Sequence, residues 1–286
     1  MNDFINKVYN QDCLVGLKNL PDACIDMAIT SPPFWGLRKY AGVESRVWSD
    51  GWRGCLGEEP RVEQYIEHLS EIFDQVKRVL KPEGSFYLEL GYCFHTKQML
   101  LVPEMVALEM QKRSWILRSK IIWYRKNALP SSVKDRYIVD YSPIFFFVKN
   151  PTYYFQQQLE PFAASSKPTE VYTGQARKNY EAEGAQNPSD TKRRILARMQ
   201  ARGGRSKRSV WAINVQPNKL KHTASFPIAL LRTPILASCP EGGTILDPFM
   251  GSFTTAVAAR ELGRFYVGFE ASKEYWDIGM QRLKDI

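Results

Sequence analysis

Two apolar runs, one toward each end of the chain, stop on turns built from proline and glycine. Ile25 to Thr30 runs into Ser31-Pro32-Pro33-Phe34-Trp35, and Thr244 to Leu246 runs into Asp247-Pro248-Phe249-Met250-Gly251-Ser252. Each run reads as a buried strand. Proline cannot donate to a ladder, so each strand ends at its turn and each turn sits at a strand's carboxyl edge. For the two turns to share a cleft, both ends of the chain must enter one sheet, which narrows the architecture more than any other feature does.

Between these runs, strand and helix patterns alternate. Val62 to Leu80 repeats apolar residues at helical spacing, Lys81-Pro82-Glu83-Gly84 breaks it, and Ser85 to Leu90 follows as a strand. Met99 to Lys112 reads as a helix, Ile116 to Trp123 and Ile144 to Val148 as strands, and Phe226 to Ala237 as a helix. After the strand at Thr244 come a helix from Thr254 to Leu262, a strand from Phe265 to Phe269 and an amphipathic stretch from Glu274 to Leu283. A parallel α/β sheet accounts for this order. The pattern dissolves after Pro151 and returns at Val210, so three regions are expected: 1–150, an insertion at 151–210, and 211–286.

With 286 residues and 44% hydrophobic content, the chain can bury a large core. Its formal charge of +9 favours a polyanionic partner. The five cysteines are scattered without a C-x-x-C pair, and the three histidines share no ligand spacing, so a reduced protein without structural metal is expected. No basic-then-apolar leader and no bilayer-length apolar run appear, which predicts a cytoplasmic protein away from membranes.

In the second turn, Gly251 permits a tight bend and Thr254 can open the next helix, whose amino end would face a ligand. Glu270 follows Gly251 by 19 residues, the interval at which dinucleotide folds place an acid on ribose hydroxyls. Neither G-x-G-x-x-G nor a P-loop is present, and Asp247 would repel a pyrophosphate. A phosphate-free cationic cofactor with a ribose, S-adenosyl-L-methionine, matches carboxylates at Asp247 and Glu270.

The first turn suits an exocyclic amino group. Such a nitrogen is a poor nucleophile because its lone pair is delocalised into the ring, and acceptors on its N–H groups favour the pyramidal form that reacts. Ser31 offers a hydroxyl, Pro32 a carbonyl on a backbone stiffened by Pro33, and Phe34 a face on which an extruded base can stack. Trp35 is expected to pack in the core.

These segments resemble the amino-group DNA methyltransferases of restriction–modification systems, in the permuted class whose catalytic motif comes first and whose cofactor motif comes last. Asn10-Gln11-Asp12-Cys13, Thr30 to Arg38, Lys81 to Gly84, Trp123 to Arg136, Trp211, His222 to Pro227, Asp247 to Thr255 and Gly268-Phe269-Glu270 fall in the family's order. The resemblance implies a Rossmann-like sheet with helices on both faces plus a target-recognition insertion. It implies that Asp12 meets the adenine amino group of S-adenosyl-L-methionine, Glu270 its ribose, and the turn Asp247, Pro248, Phe249, Gly251, Ser252 and Thr254 its methionine end. His222, Ser225 and Phe226 would form the nearby wall, and Ser31, Pro32, Pro33 and Phe34 would hold the target base. Serine in first place is similar to the cytosine-N4 subgroup, adenine-N6 members more often carrying aspartate. The resemblance also admits a homodimer.

The family usually has glycine where this chain has Phe253. A left-handed backbone would be costly there for phenylalanine, so either the turn relaxes or the ring covers part of the cofactor. A catalytically silent DNA-binding regulator of the same fold is the alternative that this departure raises.

Lys192 to Arg208 carries eight cations and no acid. Placed in the insertion, Arg193, Arg194, Arg198, Arg202, Arg205, Lys207 and Arg208, together with Arg38 outside it, are expected to contact double-stranded DNA, chiefly at phosphates.

Overall fold

The computed structural model describes residues 3–37, 42–128, 130–161, 202–215 and 227–285. Eight strands form the central sheet: β1 (Lys7–Tyr9), β2 (Ile25–Thr30), β3 (Leu80–Glu89), β4 (Ile116–Tyr124), β5 (Tyr141–Val148), β6 (Val210–Ala212), β7 (Thr244–Asp247) and β8 (Phe265–Phe269). Their order across the sheet is β1-β8-β7-β2-β3-β5-β4-β6. The first and last parts of the chain therefore interleave, β7 pairing in parallel with both β2 and β8.

Helices cover both faces. On one side α1 (Cys13–Lys18), α2 (Val62–Val79) and α3 (Val102–Lys112) pack on Ala28, Phe86, Phe145, Phe147 and Leu246. On the other, α4 (Ile228–Ser238), α5 (Thr254–Glu261) and α6 (Lys273–Lys284) pack with Met27, Tyr87, Phe146 and Ile245. Successive strand residues point to opposite faces, so strands covered on both sides are apolar at consecutive positions, as in Phe145-Phe146-Phe147. Tyr65, Leu69, Ile72, Phe73 and Val76 supply the buried stripe of α2, spaced by three or four residues.

One strand departs from the parallel expectation. β5 runs antiparallel to both β3 and β4. Among its described residues the link from Tyr124 to Tyr141 contains no crossover helix, and a chain that returns without one re-enters the sheet reversed. In consequence the end of β4, the start of β5 and the ends of β2, β3, β7 and β8 all lie at one edge. β1 and α1 went unread in the sequence, being too short to show a period.

Residues 157–208 form a second compact unit, residues 151–156 packing instead with the larger one. Within its described part, Leu159–Glu160 pairs antiparallel with Arg205–Ser206. Among the described residues no helix is long and apolar enough to cross a membrane.

Candidate active site

Asp247 and Thr30 end adjacent strands, and the Thr30 hydroxyl donates to Asp247 Oδ1 at 2.6 Å across 217 residues of sequence. This contact joins the two turns. Along the same strand edge runs a cavity of about 490 Å³, lined by Asp12, Phe249, Gly251 and Glu270 as well as by Ser31, Pro32, Phe34 and Glu89. That volume suits a small organic ligand.

The cofactor turn is held from inside. Asp247 also accepts from Phe249 N at 3.0 Å and from Thr255 Oγ1 at 2.6 Å. It is 2% exposed and does not line the cavity, and burial pushes its carboxyl up to about 6. The expectation that Asp247 presents its charge to a ligand is corrected accordingly: three donors commit the carboxylate to shaping the turn. Ser252 and Thr254 likewise sit behind it. Arg282 Nη1 donates to the Ser252 carbonyl, the Ser252 hydroxyl and the Thr254 hydroxyl at 2.6, 2.9 and 3.0 Å. Pro248, Phe249 and Gly251 face the cavity.

Glu270 faces it too. Its oxygens accept from Gly251 N and Ser272 N, each at 2.8 Å, and burial raises the carboxyl to about 7. Each oxygen keeps a lone pair for a further donor. Asp12 caps α1 by accepting from Val15 N at 3.1 Å, and pairs with Arg46, which stacks over Trp48.

Phe253 neither relaxes the turn nor covers a ligand. It adopts φ 64° and ψ 28°, and its fully buried ring lies beneath α6 against Gly279. A methyl on Gly279 would stand 2.3 Å from that ring, so the missing side chain on α6 makes room for the phenylalanine.

At the first turn, Ser31 Oγ donates to Glu89 Oε2 at 2.6 Å. Glu89 ends β3 and is buried, which raises its carboxyl, while hydrogen bonds from Ser31 and Ser142 and the charge of Arg125 oppose the rise. The Pro33 carbonyl accepts from Tyr65 on α2 at 2.8 Å. Gly91 leaves space for Phe34, whose ring a Cβ there would approach to 2.5 Å. Trp35 packs against the core as expected and donates to the Glu59 carbonyl at 2.8 Å.

Reading along the sequence missed Glu89, Arg125, Ser142 and Tyr65. A lone acid closing the apolar run Phe86-Tyr87-Leu88 was the one available signal. Arg38, Arg193, Arg194, Arg198, His222, Ser225 and Phe226 lie outside the described residues. Arg205 and Arg208 both engage Glu160 within the second unit, and Arg202 donates to Gln157 at 3.2 Å. Lys207 is exposed. Among the described residues, no group of three His, Cys, Asp or Glu side chains has the arrangement of a metal site.

Residues 25–281 match the family model described as DNA methylase, which covers N6 and N4 modification. The Type II methyltransferase M.Cfr9I of Citrobacter freundii is 29% identical, over 97% of this chain and 87% of that protein. M.SmaI of Serratia marcescens is also 29% identical, over 97% of this chain and 90% of that protein. Among solved structures, the PvuII DNA methyltransferase (cytosine-N4-specific) superposes with a TM-score of 0.68 at 18% identity, over 96% of this chain and 85% of that one. The M1.HpyAVI–SAM complex gives 0.57 at 18% identity, over 96% of this chain and 98% of that one.

Proposed function

The chain belongs to the N6/N4 DNA methylase family and is a DNA methyltransferase; we propose that it transfers a methyl group to the exocyclic N4 of a cytosine extruded from a specific site in duplex DNA. One observation carries the reading: Ser31, hydrogen-bonded to Glu89 at 2.6 Å, shares a cavity with Gly251 and Glu270. The serine and the likeness to a cytosine-N4-specific enzyme favour cytosine. The family model spans both modifications, which makes adenine N6 the second reading.

The methyl donor is S-adenosyl-L-methionine, and the residues present fit it. Glu270 has lone pairs for ribose hydroxyls and, when ionised, negative charge beside a cationic ligand, and Gly251 leaves the turn without a side chain. When bound, the cofactor supplies a methyl carbon activated by a sulfonium.

The chain's own residues prepare the nucleophile. Because the Ser31 hydroxyl donates its hydrogen bond to Glu89, its lone pairs are free to accept one N–H of the target amine. The Pro32 carbonyl accepts the other, and Phe34 stacks on the ring. Extrusion costs a few kcal/mol and stacking returns about 1–3 kcal/mol. No base must act before attack, so the rate rests mainly on alignment. The proton that the nitrogen sheds afterwards passes to Ser31 Oγ as Ser31 hands its own to Glu89.

The basic segment 192–208 would track the DNA backbone. The likeness to Type II methyltransferases supports a modification role in a restriction–modification system, with the cytoplasm as its place of action. Phe253 keeps the left-handed backbone that motivates the silent-regulator alternative, but its ring packs against Gly279 and leaves Gly251 and Glu270 facing the cavity, which favours the active enzyme. Ser31→Ala should lower methylation at least about 100-fold, as loss of a positioned catalytic group does, while calorimetry shows nearly unchanged cofactor affinity. Full activity in that variant refutes the assigned role.

A further inference from the structure

The cavity that holds Ser31 also holds a cation that makes no hydrogen bond to Ser31 or Glu89. Arg125 follows β4 directly and lines the cavity with Glu89, Tyr141 and Ser142. Its backbone N–H donates to the Asp140 carbonyl at 2.8 Å, Nη1 donates to Ser142 Oγ at 2.6 Å, and Nη2 reaches the Val139 carbonyl at 3.4 Å. The guanidinium also lies over Trp123, 5.2 Å from the ring centroid. Its remaining N–H groups make no hydrogen bond to the described residues. The guanidinium is thus oriented and partly desolvated, with donors to spare.

Ser31, Glu89, Ser142 and Arg125 lie at the ends of β2, β3, β5 and β4, which are consecutive neighbours in the sheet. Ser31 bonds Glu89 on β3 and Arg125 bonds Ser142 on β5, the strand paired with β3. One end of this arc accepts hydrogen bonds and the other donates them. Cytosine has the complementary edge, with the N4 amino group followed by the acceptors N3 and O2. Adenine offers its amino group and N1, but a C2–H stands where cytosine has O2.

We propose that Arg125, oriented by Ser142, forms a subsite for the N3–O2 edge of the extruded base and so selects cytosine over adenine. The inference rests on the cytosine reading above. A charged donor without an acceptor is costly, and by the usual worth of such bonds discrimination is roughly 10- to 100-fold.

The experiment uses the full chain with S-adenosyl-L-methionine. The wild-type target base is first mapped on unmodified DNA. Duplexes that differ only by cytosine or adenine at that position are then assayed with Arg125→Met, Arg125→Lys and Ser142→Ala. Arg125→Met should lower the ratio of the cytosine rate to the adenine rate about 10- to 100-fold. Ser142→Ala should move the ratio in the same direction by less. Calorimetric binding of the cofactor reports folding, and Arg125→Lys, which keeps charge and bulk but loses the planar fork, carries the test if the methionine variant does not fold.

Equal losses on both bases, with a shallower salt dependence, would identify a phosphate contact and overturn the proposal. So would an unchanged ratio in variants that bind cofactor. A wild-type enzyme that labels adenine instead defeats the cytosine reading itself, and this inference with it.

Discussion

Glu270 is the cavity carboxylate whose chemistry depends most on pH. Burial raises it to about 7, so near neutrality it exists in both forms. Ribose hydroxyls and a cationic ligand favour the ionised form, so cofactor binding should expel a proton. Affinity should then rise with pH, by up to about tenfold per unit below pH 7, and level off above it. Titration calorimetry at pH 6 and 8 in buffers of different ionisation heat measures both the affinity and the proton. Binding that ignores pH, or a Glu270→Gln variant that keeps the dependence, would remove the role. The same linkage has an opposite sign for stability. A carboxyl that is raised on folding stabilises below its unfolded pKa, and that contribution is lost as pH climbs through the folded value. For Asp247 and Glu270, raised to about 6 and about 7, the ligand-free fold loses stability between the ordinary carboxylate range and neutrality.

The coupling of Phe253 and Gly279 belongs to the elements α5 and α6. Alanine is intrinsically better than glycine in a helix by up to about 1 kcal/mol. Here the sign should reverse, because the added methyl meets a fully buried ring at 2.3 Å. Gly279→Ala should cost about 1–3 kcal/mol by overpacking. In a Phe253→Gly background the cost should vanish. Denaturant melts of the four variants give the coupling, and additive costs would show that the ring does not meet the methyl. Elements also mark how far sequence could be read. The β7-α5-β8 unit was legible because its apolar segments are bounded by turn residues. Reversal of β5 was not, since strand direction depends on the connection and leaves no trace in the strand. At the site, Ser31 to Phe34 and Glu270 announced themselves by motif and interval. Glu89, Arg125 and Ser142 did not, because they meet only when β3, β5 and β4 lie side by side.

For the whole molecule, the charge of +9 and the proposed DNA contact of the basic run at 192–208 predict a strong salt dependence of binding. If six of the cations meet phosphates, log K should fall with log salt at a slope of about −5. Replacing Arg193, Arg194 and Arg198 by alanine should make the slope shallower by about one unit per lost contact. Fluorescence anisotropy between low and physiological salt gives these slopes, and a slope indifferent to the triple replacement would take the run out of the interface. Arg205 and Arg208 are weaker candidates because Glu160 already partners both.

By itself the sequence determined where the longer strands and helices form, which turns are candidates for the chemistry and where the positive charge is concentrated. Apolar period and turn composition are local properties, so they survive without a fold. Tertiary structure decided that Asp247 turns inward to lock the bend, that Phe253 finds its space on α6, and that Arg125 and Glu89 join Ser31. Each of those outcomes depends on which distant residue occupies the neighbouring space and on whether water is excluded there, and neither is encoded in a single segment.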